Sequence, residues 1–312
     1  NSDNSFAEFL VIFSISSEEK AWEDLLQKKI ELMEVSKPKA AILSQTQSEI
    51  SKIISEKNLE LKYVPSLSAR WFGFNMKDKY LGKSLNLRKA IAYAINRDEY
   101  IRLVSQNTSM KSSSLYNPGI EGYLPTTDVP YHFDLEVAKQ YLAQALRELN
   151  LKEITLTYSS RSNKEINLME AEFIRKQLSQ IGIRVEIEIL TFSDFLKKGR
   201  QGQLQFWTDG WIYDYPDPGN LIQLLVSYNH PGNNKTGYAN NEMDSLYAEL
   251  ESTRDAKRRM EILQRIEAIV ERDIPWILLS YESNYFLVNK KVQNFRPSNI
   301  IRNFYKYINL YQ

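Results

Sequence analysis

Not one of the 312 residues is cysteine. That absence excludes disulfides, thiolate nucleophiles and cysteine-held zinc or iron–sulfur centres. It also suits a protein working outside the bacterial cytoplasm, where a stray thiol could mispair. Histidine is almost as scarce: His132 and His230 are the only two. They lie far apart in sequence, which argues against a histidine-based triad or a zinc site. No apolar run reaches the roughly 18 residues that would cross a bilayer. No secretory signal is visible in the opening "NSDNSFAEFLVIF", where processing or truncation could have removed one. Closely spaced glycines are missing, and with them both G-x-G-x-x-G and the P-loop. Neither a G-x-S-x-G elbow nor H-E-x-x-H occurs. No sign of charge dominates either, with 40 Lys+Arg against 39 Asp+Glu. The chain therefore carries no electrostatic footprint for nucleic acid or an anionic membrane.

What the chain does hold is apolar and aromatic material. Hydrophobic residues make up 43% and aromatics 12%, with 19 tyrosines and 5 tryptophans. That is enough for one or two sizeable cores. Most of the rings belong in those cores; the remainder are available to line a cleft.

Strand and helix patterns alternate along the sequence. "FLVIF" (Phe9–Phe13) reads as a buried strand, followed by a helix capped by Ser16 or Ser17 with Trp22, Leu25 and Leu26 inward. A helix over about 45–56 leads to strands "LELKYV" and "RWFGFNM". "LNLRKAIAYAINRDEYIRLV" is helical, with Asn96 restarting or capping its second part. Residues 107–133 lose periodicity and form a long loop, a length that is usually functional or disordered. Asp134 caps the next helix. "EITLTYSS", a helix ended by Gly182, the alternating "IRVEIEIL", a short helix capped by Ser193, and "QLQFW" form β-α-β-α-β. A parallel arrangement with right-handed crossovers is the default for such a run. A helix over 220–228, another from about Met243 and a long amphipathic one through "RDAKRRMEILQRIEAIVERD" follow. Strands "WILLSYE" and "YFLVN" then precede a tail. The basic cluster Arg254, Lys257, Arg258 and Arg259 is interleaved with glutamates, the pattern of a solvated, salt-bridged helix face.

The densest chemistry is "TDGWIYDYPDPGN" (208–220), with three aspartates, three aromatics, two prolines and two glycines at a strand end. Open α/β sheets bind ligands beyond the carboxyl ends of their strands, which favours function over a plain turn. A glycosidase needs two carboxyls about 5–10 Å apart, facing each other across a sugar. Asp214 and Asp217 sit on one short turn instead. Asp217 before Pro218 fits an Asx-turn. Asp214 precedes "YP", which extends the chain and leaves its carboxylate at the strand lip. Walled by Trp211 and Tyr213, it suits capture of a cationic group.

At these residues the chain resembles the large solute-binding proteins of bacterial peptide ABC importers, the dipeptide/oligopeptide-binding type (family 5). The likeness rests on "LRKAIAYAINRDEYI" (87–101), "NPGIEGY" (117–123), "FDLEVAKQYLAQA" (133–145), "DGWIYDYPDPGN" (209–220) and "NNKTGYANNEMDSLYAEL" (233–250), in that order and spacing, and runs over nearly all of the chain. It implies an α/β, periplasmic-binding-protein-like clamshell of type II-like class. One lobe would be complete here (76–284), and part of the other would come from 1–75 and 285–312.

It further implies that the chain corresponds to the later portion of a longer protein, and that 1–75 exposes an apolar surface prone to dimerisation or aggregation. The "L-x-x-G-x-x-D" segment of the family reads "LLQKKIELM" (25–33) here, without its glycine. By the same resemblance, Asp214 pairs with the free α-amino group of a short peptide, Gly210 and Ile212 offer main-chain groups, and Trp211 walls a side-chain pocket beside Tyr213. The ligand passes to a membrane permease of an ABC importer. The protein is expected outside the cytoplasm, periplasmic or anchored at the cell surface as a lipoprotein, with no cofactor, no metal and no enzymatic activity. Rival readings are a binder of another small solute (an oligosaccharide or metal chelate) and a ligand-sensing domain of a regulator. A third is a glycoside hydrolase using Asp209, Asp214 or Asp217.

Overall fold

The computed structural model describes residues 17–44, 49–124, 131–298 and 308–310. The expected strand at Phe9–Phe13, part of the 107–133 loop and most of the tail lie outside them. In chain order the elements begin with α1 (Glu18–Leu26), β1 (Leu32–Val35), α2 (Lys37–Leu43), α3 (Glu49–Glu56), β2 (Leu59–Phe74), α4 (Leu85–Ala94), α5 (Arg97–Leu103) and β3 (Ser109–Lys111). They continue with α6 (Leu135–Glu148), β4 (Thr155–Ser160), α7 (Glu165–Ser179), β5 (Arg184–Ile189), α8 (Phe192–Arg200), β6 (Phe206–Ile212) and α9 (Gly219–Ile222). After two 3-10 turns come α10 (Asn241–Ser252), α11 (Ala256–Asp273), β7 (Trp276–Asn289), β8 (Val292–Gln293) and β9 (Asn309–Leu310).

The chain forms two compact units: Asn1–Leu67, Gln106–Met110 and Glu282–Gln312 in one, Ser68–Ser105 and Lys111–Tyr281 in the other. In the first, β1 pairs antiparallel with β7 from Leu32↔Val288 to Val35↔Tyr285. Leu25, Met33, Val35, Ala40, Leu43, Leu59 and Leu287 form its core. Ser17 caps α1 by accepting the Lys20 amide at 3.1 Å, with Glu18 and Glu19 in the positive first turn.

In the second unit the strands run in the order β7-β2-β6-β4-β5. β4 is parallel to β5 and to β6, the crossover arrangement that the alternating pattern implied. β2 lies antiparallel to β6, from Ser68↔Ile212 to Phe74↔Phe206, a pairing that no local pattern announces. Side-chain caps set the helix starts: Ser84 for α4, Asn96 for α5, Asp134 for α6 and Asn240 for α10. Gly182 adopts φ +91 after α7, a conformation with little cost only for glycine.

Several local expectations change. Thr191, rather than Ser193, caps α8 by accepting the Asp194 amide. "LELKYV" and "RWFGFNM" join into the single strand β2, because Pro65 between them tolerates extended backbone and no Gly, Asn or Asp intervenes to take a positive φ. "WILLSYE" and "YFLVN" likewise join in β7, where Ser283 is buried rather than looped out. The helix expected over 220–228 is one short α-turn and two 3-10 turns.

One polar network crosses the core of the second unit. Arg70 on β2 makes a bidentate pair with Glu170 on α7, at 2.8 and 3.0 Å from Nη2. Tyr100 on α5 accepts from Arg70 Nε at 2.8 Å and donates to Glu170 Oε1 at 2.6 Å. Tyr158 on β4 donates to Glu170 Oε2 at 3.2 Å and also meets Thr208 on β6 at 2.6 Å. Burial opposes the Glu170 charge, but Arg70 and the Tyr100 hydroxyl outweigh it and hold the carboxyl below its usual range. Burial drives the Tyr100 and Tyr158 hydroxyls far above theirs.

A buried pair that loses one partner leaves an uncompensated charge. Glu170→Gln should therefore cost about 3–5 kcal/mol in urea unfolding at pH 7. Glu170 titrates lower in the folded chain than in the unfolded one, so its contribution is full above the unfolded carboxylate range, about 4.3. It is lost as pH falls through the lowered folded value. The gap between wild type and Glu170→Gln should narrow on acidification below about pH 4; a constant gap would contradict the assignment.

Candidate functional site

β6 carries the aspartate- and aromatic-rich segment, and its alternation sorts the residues. Asn75 N–H donates to the Gln205 carbonyl at 3.0 Å, so odd-numbered residues here address β2. Phe206, Thr208, Gly210 and Ile212 then address the opposite edge. On that edge the β4 ladder pairs Phe206 and Trp207 and stops there. The Gly210 carbonyl and the Ile212 main-chain groups face an edge with no ladder partner among the described residues. Gly210 N–H is held by its neighbour, Asp209 Oδ1, at 3.0 Å.

The three aspartates meet different surroundings. Asp209 is 9% exposed and its Oδ2 receives Lys235 Nζ at 2.7 Å. Asp217 accepts the Gly219 amide at 2.7 Å, the Asx-turn geometry, and receives Arg259 Nη2 at 3.2 Å. Asp214 is exposed, and its carboxylate has no ion-pair partner among the described residues. Only its backbone is tied, with N–H donating to Asn220 Oδ1 at 3.2 Å. Of the three, Asp214 alone is free to receive a cation.

Asn220 organises this turn. It is 1% exposed, and the same Oδ1 accepts Trp211 Nε1 at 2.7 Å. Trp211 is thereby fixed half-buried, while Ile212 is 77% exposed. Tyr213 is buried instead of lining the lip: its hydroxyl faces the Asn117 backbone without a well-formed hydrogen bond. Burial, with Tyr281 adding to it, pushes that hydroxyl far above the usual phenol range. Asn117 itself donates to the Ser68 carbonyl at 2.7 Å. The "NPGIEGY" loop therefore backs the site from behind.

Arg259 departs from the solvated face expected of its cluster. Arg258 pairs with Glu249 and Glu261 near the surface, as that pattern implies. Arg259, with 15% side-chain exposure, bridges Glu121 at 2.8 Å to Asp217 and also donates to the Leu250 and Thr253 carbonyls. It fastens the loop and the turn to α11. Neither Asn220 nor Arg259 was legible as a site residue, because each acts on partners distant or hidden in sequence.

Asn220→Ala should cost about 1–3 kcal/mol of stability, since Trp211 Nε1 loses its acceptor. Hydrogen exchange of the Trp211 indole N–H, followed by NMR, should accelerate. Asp214→Asn should stay within about 0.5 kcal/mol of wild type in the same unfolding experiment, as its carboxylate is exposed and unpaired.

A family model described as bacterial extracellular solute-binding proteins, family 5 middle, matches residues 10–233. The chain is similar to the dipeptide-binding protein of Escherichia coli (strain K12), 24% identical over 253 residues, covering 80% of this chain and 46% of that protein. It is 27% identical over 228 residues to the oligopeptide-binding protein OppA of Bacillus subtilis (strain 168), covering 70% of this chain and 41% of that one. The chain thus spans less than half the length of these relatives. Among solved structures, the periplasmic binding protein DppA from Helicobacter pylori, in complex with the peptide STSA, superposes with a TM-score of 0.73 at 24% identity. That match covers 95% of this chain and 56% of the other, and it shows the fold. The model match covers well over half of the chain, which places it within the family: this protein belongs to the bacterial extracellular solute-binding proteins of family 5.

Proposed function

We propose that this chain is the ligand-binding portion of a solute-binding protein that delivers short peptides to the permease of an ABC importer, outside the cytoplasm. The observation that carries the reading is Asp214, the one of the segment's three aspartates with no ion-pair partner among the described residues, at the end of a strand whose outer edge has no ladder partner there among the described residues. A peptide laid along that edge would bond its main chain to Gly210 and Ile212, as an added strand does. Its α-ammonium would then reach Asp214, beside Trp211. Tyr213 serves from underneath, filling the site's support. Main-chain recognition of this kind tolerates many side chains, in keeping with relatives named for dipeptides and oligopeptides.

We take the second unit, Ser68–Ser105 and Lys111–Tyr281, as the ligand-binding lobe and the first unit as part of the other, a division shifted by a few residues from the 76 and 284 that the resemblance implies. Catalysis is not part of the proposal. A glycosidase needs two available carboxyls, whereas Asp209 and Asp217 are held by Lys235 and Arg259.

Thermal unfolding with a pool of tri- to pentapeptides, beside the same pool N-acetylated, tests the reading. Free peptides at about 100 times their Kd should add roughly 2.7 kcal/mol of stability. Acetylated peptides should add little, and Asp214→Asn should abolish the difference. Equal stabilisation by both pools would remove Asp214 from the amine's partners. No stabilisation by either pool would remove peptide as the ligand.

A further inference from the structure

Arg259 turns inward from a basic cluster whose neighbour Arg258 stays near the surface. Every nitrogen of its guanidinium is engaged. Nε donates to Glu121 Oε2 at 2.8 Å, Nη1 to the Leu250 and Thr253 carbonyls at 2.9 and 3.3 Å, and Nη2 to Asp217 Oδ2 at 3.2 Å. Asp217 is filled in turn, since its other oxygen accepts the Gly219 amide at 2.7 Å. Its side chain is nevertheless 39% exposed, and it shares one short turn with Asp214, closed by its own amide donating to the Tyr215 carbonyl at 2.8 Å. A further carboxylate stands close by: Glu251 Oε1 lies 2.7 Å, and Asp217 Oδ1 2.9 Å, from where a Gly219 side chain would begin. Against Asp217, Glu121 and this neighbouring glutamate, Arg259 supplies the cation.

We propose that Arg259 is a specificity-determining residue of the amine site, confining ammonium capture to Asp214 by neutralising Asp217. The inference rests on the peptide reading above and adds the residue that makes the site recognise one positive charge in one place. A carboxylate already held by a guanidinium has little left to offer an incoming ammonium. The same carboxylate released, with Glu121 and Glu251 beside it, would attract one. Asp209 differs, because burial as well as Lys235 withholds it from a ligand. A lysine at 259 could also neutralise Asp217, but only the planar fork of arginine spans two carboxylates and two carbonyls at once. Charge therefore carries the selectivity and shape carries the anchoring of the turn, and substitution separates the two.

Thermal unfolding against rising concentrations of the tri- to pentapeptide pool, free or N-acetylated, gives a half-saturating concentration for each form. The ratio of the two is the amine preference. Wild type should show a preference that Asp214→Asn abolishes. In Asp214→Asn/Arg259→Met it should return to at least about tenfold, as Asp217 takes the ammonium, and adding Asp217→Asn should remove it again. Asp214→Asn/Arg259→Lys should not recover it, because the lysine still neutralises Asp217. Arg259→Gln, which keeps a donor for the Leu250 carbonyl, makes the same release where Arg259→Met folds poorly. An Arg259 that only props the turn would weaken both forms alike and restore no preference. That result overturns the proposal alone, as does a preference that survives Asp217→Asn or returns equally with Arg259→Lys. A wild type that binds neither form, or both equally, overturns the amine clamp of the peptide reading and this inference with it.

Discussion

The second unit depends on the buried pair between Arg70 and Glu170. An ion pair deep in a core is tolerated only when its remaining hydrogen-bonding capacity is filled. Here two tyrosine hydroxyls supply what the bidentate contact leaves over. The pair and its partners come from β2, α5, α7 and β4, and Thr208 extends the contact to β6. Four elements are thereby locked around β6, the strand that carries the candidate site. Phe72, Phe74 and Phe206 pack the same side of the sheet with edge-on and stacked rings. With that side committed to rigidity, the strand's free edge can stay open.

The turn after β6 shows how neighbours give one residue type different work. Asp209, Asp214 and Asp217 lie within nine residues of each other, yet a lysine neutralises the first and an arginine the last. Asp214 keeps its carboxylate available because its backbone alone is restrained. Fixing the main chain while leaving the side chain free is a workable way to pre-organise a receptor for a cation: the ordering cost is met during folding rather than on binding.

Much of the support for that turn arrives from far along the chain. Asn220 holds Trp211 from nine residues away, and Glu121 is joined to Asp217 through Arg259 on α11. Loops backed in this way hold a defined geometry although they lack regular structure. The buried Tyr213 belongs to the same scaffold, which explains why an aromatic beside Asp214 need not face solvent.

What the sequence determined by itself was local. Capping residues, the 3.6 and 2.0 periods and Gly182 are read by the backbone within a few residues, so helix starts at Asn96 and Asp134 and the parallel β5-β4-β6 run were legible. The segment around Asp214 stood out too, since its composition is unusual at a strand end. Tertiary structure alone decided the antiparallel β2–β6 pairing, the union of four expected strands into β2 and β7, and the meeting of Arg70 with Glu170 across a hundred positions. It also decided which aspartates are neutralised. The reason is physical: periodicity and capping are short-range, whereas charge pairing depends on which side chains the packed sheet brings within a few ångströms.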